Sequence, residues 1–396
     1  MNNLTWSTFS LCLSVVAWTE GVKAFEAALR LELTLLCEEL NIPGATAAFV
    51  SDDGRFGEVA VGVAYQEMGE AMTPESRMPA ASIGKSLVGA CALTLEAEGR
   101  LDLDAPIAQW LGEASWFSRL PGDGKITARQ LLYHTSGLPD HVYLESFRSD
   151  VSQKWRQEEN AFSSEVLVGY ILDQPALFAA GEGWSYSDTG YVLLGMVIER
   201  ATGQTVAALV EDHFLIPLLL THTQFADRRD LPGLTPGYTS KHNAFGFPVK
   251  SVDGEGRLCW HPALENYGGG WVSSSGDLAR WGNALFAGAA LPKNARPCLR
   301  RRVPTAPDPD APQYGPGVTF IPNSPLGPSY GHRGWIPGYI SSLRHYPWMG
   351  LTIAFQLNTD DIKAAEGENW ISEMELRLAD VVVKTWEQKW TLHCEK

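Results

Sequence analysis

Apolar positions change their rhythm several times along the chain, and each change predicts an element. Between residues 25 and 40, Ala28, Leu31, Leu33, Leu35, Leu36 and Leu40 favour one side of a helical repeat, and Pro43-Gly44 stops it. Strand rhythm follows at 45–50 and 58–63, with Asp52-Asp53-Gly54 as the turn between them. An Ala- and Leu-rich stretch from Ser82 to Gly99 predicts a helix closed by that glycine. From about 101 to 291 the chain reads as mainly helical pieces joined by Gly/Pro loops, clearest at 191–201 and 277–286. Beyond a proline-rich stretch at 304–316, strand patterns return at 338–345 and 351–356, and a helical segment runs from 371 to about 390. Strands near both ends with helices between them predict one α/β layer, built from both termini and carrying an inserted helical region. A cleft between the two regions is then the natural place for a site.

Composition narrows the function classes. The chain has 396 residues, 45% hydrophobic and 19% charged, a length that suits two or three average domains or one large enzyme with an inserted subdomain. Its net charge of −15 disfavours nucleic acid and anionic membranes as partners. The six cysteines (Cys12, Cys37, Cys91, Cys259, Cys298, Cys394) form no CxxC pair and have no histidines at ligand spacing, so they read as buried or isolated thiols. Residues 1–24 are a candidate signal peptide, with an apolar stretch at 4–18 and Val22-Lys23-Ala24 as a cleavage site. The lack of Lys or Arg before it, and the odd number of cysteines left after cleavage, argue the other way. The expected location is periplasmic or secreted if the segment is a signal and cytoplasmic otherwise. No later segment reaches the roughly 18 consecutive apolar residues of a membrane span.

The strongest chemical signal is Ala81-Ser82-Ile83-Gly84-Lys85-Ser86, placed where a helix should begin. Position i+3 lies on the same helix face, so the Lys85 amine can reach the Ser82 hydroxyl. Serine is a weak nucleophile until a neighbouring base takes its proton, and N–H groups at a helix start favour a developing oxyanion. A capping serine followed by a surface lysine gives the same letters, so context decides. Gly183-Trp184-Ser185-Tyr186-Ser187-Asp188-Thr189-Gly190-Tyr191 is a loop running into an apolar helix, where a tyrosine can relay a proton or simply pack. Gly331-His332-Arg333-Gly334-Trp335, followed by Pro337-Gly338 and a strand, offers a glycine for close backbone approach or a histidine in a turn.

These three pieces, in this order, resemble the S-x-x-K, Y-x-N and K/H-x-G boxes of the serine β-lactamase and penicillin-binding-protein superfamily. The resemblance is to its class C-like branch of DD-peptidases, D-amino-acid peptidases and amidases, class C β-lactamases and esterases. The stretches 98–106, 131–139 and 268–279 resemble further landmarks, so the likeness spans about 40 to 360. It implies an antiparallel sheet flanked by helices (about 25–105 and 310–396) with a helical insert (about 106–309). It also implies acyl transfer through an acyl-enzyme, without metal or cofactor, on a small-molecule or short-peptide amide or ester. The substrate classes it leaves open are D-residue peptides or amides, carboxylic esters and β-lactams; a non-catalytic relative of the same fold is the alternative.

Carried over, Ser82 is the nucleophile, Lys85 its hydrogen-bonded base, and Tyr186 the partner base or the acid for the leaving group. Either Lys85 or Tyr186 can take the first proton, and the pair can titrate as a unit. Backbone N–H groups of Ser82 and Trp335 would form the oxyanion hole, with Gly334 beside them. His332 would line the cleft and orient the substrate, and His134 would be structural. Two departures stand out: Asp188 replaces the usual Asn, and His332 the usual Lys. Asp188 is expected either to neutralise Lys85 or to attract a substrate amine. A neutral His332 is a weaker carboxylate anchor than lysine.

Overall fold

A computed structural model describes residues 5–122, 124–155, 162–365 and 369–394, with side chains described for 22–386 of these. Helix α1 (Thr5–Leu40) leads into β1 (Gly44–Ser51), β2 (Phe56–Tyr65), β3 (Glu70–Ala71) and β4 (Met78–Pro79). A 3-10 turn, Ala81–Ile83, opens α2 (Gly84–Ala97); α3 (Asp188–Thr202) follows, then β5 (Gln224–Phe225), β6 (Trp271–Ser273) and α4 (Ser275–Phe286). The chain closes through β7 (Val303–Pro304), β8 (Gln313–Tyr314), β9 (Thr319–Ile321), β10 (Ser329–Ile336), β11 (Tyr339–Tyr346), β12 (Leu351–Leu357) and α5 (Trp370–Cys394).

The main sheet is antiparallel, in the order β3-β2-β1-β12-β11-β10-β9-β8-β7. Strand β1 pairs with β12, Ala45 opposite Leu357, so the first and last long strands lie side by side. Every residue of β1 is buried, because both sheet faces are covered. Ala45, Ala47 and Phe49 face α1 and α5, whereas Ala48 and Val50 join the core beneath α2 and α4. Mixed helices and sheet, with a helix-rich stretch between β4 and β7, match the predicted architecture.

Details differ from the pattern reading. In α1 the buried stripe is Phe25, Leu29, Leu33, Leu36, Cys37 and Leu40, while Leu31 and Leu35 are exposed. The i, i+4, i+8, i+11 series meets the sheet, and the other leucines fall off that line. Truncating Leu33 to Ala should cost about 2–5 kcal/mol. A second sheet, β4-β6-β5, is made of strands too short to carry a pattern. Helix α4 packs on β1 and β12, with Gly282 so close that a methyl there would lie 2.6 Å from Leu343. Cys37, Cys91 and Cys259 are buried thiols, and burial pushes the first two up to about 12. The side chains of Cys12 and Cys394, and part of the candidate signal segment, lie outside the described residues. No single helix among the described residues is long and apolar enough to cross a membrane.

Candidate active site

The nucleophile segment is pinned before the helix begins. Ala80 N–H bonds Trp271 O at 2.8 Å, Ser341 Oγ bonds Ala80 O at 2.8 Å, and Gln356 Nε2 bonds Met78 O at 3.0 Å. β6, β11 and β12 therefore all hold the approach to Ser82. Ala81 sits at φ +47°, a left-handed conformation rare for a residue with a side chain. Such strain, of about 1–3 kcal/mol, persists only where the surroundings over-determine it. Ser82 thus stands on a 3-10 turn ahead of α2 rather than in the α-helix itself.

Lys85, on the first turn of α2, is fully buried. Its Nζ lies 3.2 Å from Ser82 Oγ and also donates to the Asp188 carboxylate and the Gly268 carbonyl. Three oxygen atoms therefore surround the Lys85 nitrogen. The rings of Tyr186 and Tyr191 face the same nitrogen at 4.8 and 5.5 Å. Asp188 is the first residue of α3, where a carboxylate also suits the helix dipole. Of the two expectations for Asp188, the geometry places it on Lys85.

Tyr186 is positioned by His134. Ser185 N–H bonds His134 O at 3.0 Å, Ser187 N–H bonds His134 Nδ1 at 3.2 Å, and the His134 ring lies 4.3 Å beneath the Tyr186 ring. Ser187 then caps α3 through Gly190 N–H at 3.2 Å. The Tyr186 hydroxyl is buried with no hydrogen bond of full geometry, although Ser82 is near enough to hold its pKa down slightly. Burial first, and Asp188 second, push that phenol well above its ordinary range, so it is neutral at physiological pH.

The third motif is not a turn before a strand: it is strand β10 itself. β9 covers β10 only at Ser329–Gly331, leaving the edge from His332 onward to face the cleft. Gly334 lies against the nucleophile segment, since a methyl there would stand 2.2 Å from Ala80 O. His332 is buried and turns both nitrogens to the protein, Nδ1 donating to Arg333 O at 2.6 Å and Nε2 accepting from Tyr314 at 3.0 Å. Burial, then Lys85, holds its pKa down to about 3. A neutral ring with both nitrogens occupied has nothing left for a substrate carboxylate. Trp335, half-exposed, bonds Asp360 Oδ2 through Nε1 at 3.0 Å.

Ser82, Tyr186, Asp188, His332, Gly334 and Trp335 line a cleft of about 500 Å³. Its far wall is apolar, formed by Tyr143, Phe147, Phe245, Leu264, Trp335 and Ile336. Asp140, Glu265 and the Gly268 carbonyl also belong to the site; sequence reasoning missed the first two and gave Gly268 no role beyond the 268–279 landmark. Burial and Asp188 push the Asp140 carboxyl up. These residues reach Lys85 and Asp188 only through the tertiary fold, so no local spacing marks them.

Comparison with known proteins agrees with this geometry. The family model described as Beta-lactamase matches residues 25–376. Penicillin-binding protein 4* of Bacillus subtilis (strain 168) is 29% identical over 324 residues, covering 76% of this chain and 67% of that protein. Esterase EstB of Burkholderia gladioli is 32% identical over 226 residues, so the chain spans about half of that relative, 54%. The D-stereospecific amidohydrolase from Streptomyces sp. has a TM-score of 0.72 at 27% identity, covering 87% of this chain and 96% of that one. A matched span that takes in the nucleophile turn, the tyrosine loop and strand β10 shows that this chain belongs to the Beta-lactamase family.

Proposed function

We propose that the chain is a serine hydrolase that takes an apolar acyl group from an amide or ester onto Ser82 and passes it to water. The observation that carries this reading is the Ser82–Lys85 contact at 3.2 Å, with Lys85 held on its other sides by Asp188 and Gly268. In the first step Ser82 Oγ bonds the carbonyl carbon, and its proton passes to the Lys85–Tyr186 pair, which enters the step with Lys85 as the free amine and so has room for it. The oxyanion lies between the Ser82 and Trp335 N–H groups. The two-residue hairpin closing Ile336 on Tyr339 supports the latter, because antiparallel alternation turns the Trp335 N–H away from β11. Each such donor is worth about a hundred- to a thousandfold in rate. Neutral Tyr186 then gives its proton to the departing nitrogen or oxygen as that bond breaks and recovers one from Lys85, which returns to the free amine. Water repeats the sequence in reverse and frees the acid.

The relatives' names point the same way: an esterase and a D-stereospecific amidohydrolase. The apolar wall suits an aromatic or branched acyl side chain. The occupied nitrogens of His332 disfavour substrates that need a carboxylate anchor, so nitrocefin should be the slowest of three probes. The test compares the protein with Ser82→Ala on p-nitrophenyl esters, D-aminoacyl p-nitroanilides and nitrocefin, with intact mass followed in parallel. The variant should lose at least about a thousandfold in kcat and the acyl adduct with it. Equal turnover in both proteins would mean that another group is the nucleophile.

A further inference from the structure

The acyl-transfer scheme leaves one carboxyl group in the cleft unused. Glu265 lines it alongside Ser82, Asp188 and Gly269. Its backbone is fixed between two helical turns, its N–H on Pro262 O at 3.0 Å and its carbonyl accepting from Gly268 N–H at 2.9 Å. A methyl built on Gly269 would lie 2.7 Å from Glu265 Oε2 and 2.9 Å from the Ala81 carbonyl carbon. The space that a β-carbon on Gly269 would fill therefore lies between the carboxyl and the peptide that carries the Ser82 N–H.

The cleft's cations are already engaged elsewhere. Lys85 is on Asp188, Arg333 is on Glu375, and Arg148 bonds Val142 O at 3.2 Å beside the Tyr143 ring. No side chain among the described residues donates a hydrogen bond to Glu265. Burial, and then the Asp188 charge, push its carboxyl well above the usual carboxylate range. A half-buried acid without a partner, opening on the reacting centre, is completed by a positive group brought from outside.

We propose that Glu265 receives the free amine of an aminoacyl amide or ester, making the site selective for acyl donors whose α-nitrogen is unblocked. This rests on the acyl-enzyme reading above. An α-nitrogen lies two bonds from the attacked carbonyl carbon, so a carbonyl seated on the Ser82 N–H places its amine toward the Gly269 side. An incoming neutral amine takes the Glu265 proton, and a charge-assisted ammonium–carboxylate pair results. Asp188 is the poorer candidate, because binding an amine would take it from Lys85.

The test reads binding without turnover. Calorimetry on the Ser82→Ala protein compares D-phenylalaninamide with its N-acetyl derivative. The free amine should bind about tenfold tighter or more, and adding Glu265→Gln should cut the preference to about threefold or less. Glu265→Asp, which keeps the charge, should restore part of it, and thermal melting checks that each variant is folded. No binding of the amine, equal affinity for both ligands, or a preference that survives Glu265→Gln overturns the assignment. The acyl-enzyme reading fails separately, if a fluorophosphonate leaves Ser82 of the parent protein unlabelled.

Discussion

Glu375 and Glu265 are the same side chain in two settings, on opposite faces of the sheet. Glu375, on α5, accepts from Arg333 at 2.8 and 2.7 Å and from Ser342 at 2.5 Å, with the Arg344 Nε at 3.2 Å. Burial alone would raise its pKa, but Arg344 and Arg333 outweigh that and bring it down to about 2. Glu265 accepts from no described side chain and is pushed the other way. Adjacent residues of β10 serve the two faces: Arg333 reaches back to α5, while His332 turns toward Tyr314 and the cleft. A saturated carboxylate joins helix to sheet, whereas an unsaturated one is poised to receive something.

That contrast can be broken by substitution, and the largest effect expected is on stability. Glu375→Gln strands two arginines, one of them buried, and should cost about 3–5 kcal/mol, seen as a lower Tm, while kcat of the folded protein stays near the parent's. A similar loss of kcat without a loss of Tm would reverse the roles of the two faces. Next comes Tyr186→Phe, which should lower kcat by about a hundred- to a thousandfold with Tm unchanged. Smaller again, Asp188→Asn should lower kcat about tenfold on neutral esters and amine-bearing substrates alike, because Asp188 acts through Lys85. If only amine-bearing substrates suffered, Asp188 would be the amine site and Glu265 would not.

The pH dependence sharpens the same comparison. Glu375 has its folded pKa depressed from 4.5 to about 2. Its contribution is therefore fully present above about pH 4.5 and is lost as pH falls toward 2. The Tm gap between the parent and Glu375→Gln should be constant from neutral pH down to that point and then close. A gap that widened on acidification would contradict the assignment.

How much of this was legible in the sequence depended on distance along the chain. The helices at 191–201 and 277–286 and the strands at 338–345 and 351–356 lie within α3, α4, β11 and β12, apart from an end residue. Their burial repeats locally, so the pattern records it. Strand β10 was hidden, because Gly331 and Gly334 thin out its apolar alternation and its partly uncovered edge needs no continuous run. The Ser82–Lys85 contact was readable as an i, i+3 pair. Tyr186 and His332 were readable only as members of an ordered set of motifs. Glu265 and Asp140 carry no spacing signal at all. Their meaning comes from neighbours supplied by other parts of the fold.

The pairing of β1 with β12 also governs when activity can first appear. Ala45 waits for Leu357, so the middle of the sheet cannot close until the chain has been synthesised that far. Contacts of such long sequence separation form late and slowly. Ser82 and Lys85 meet on a local turn early, but β10, which faces them, is placed by β11 and β12 at the end. A chain in which β10 is not yet placed thus holds its nucleophile without the wall that makes it reactive, and recovery of hydrolase activity after denaturation would time the last strand to join the sheet.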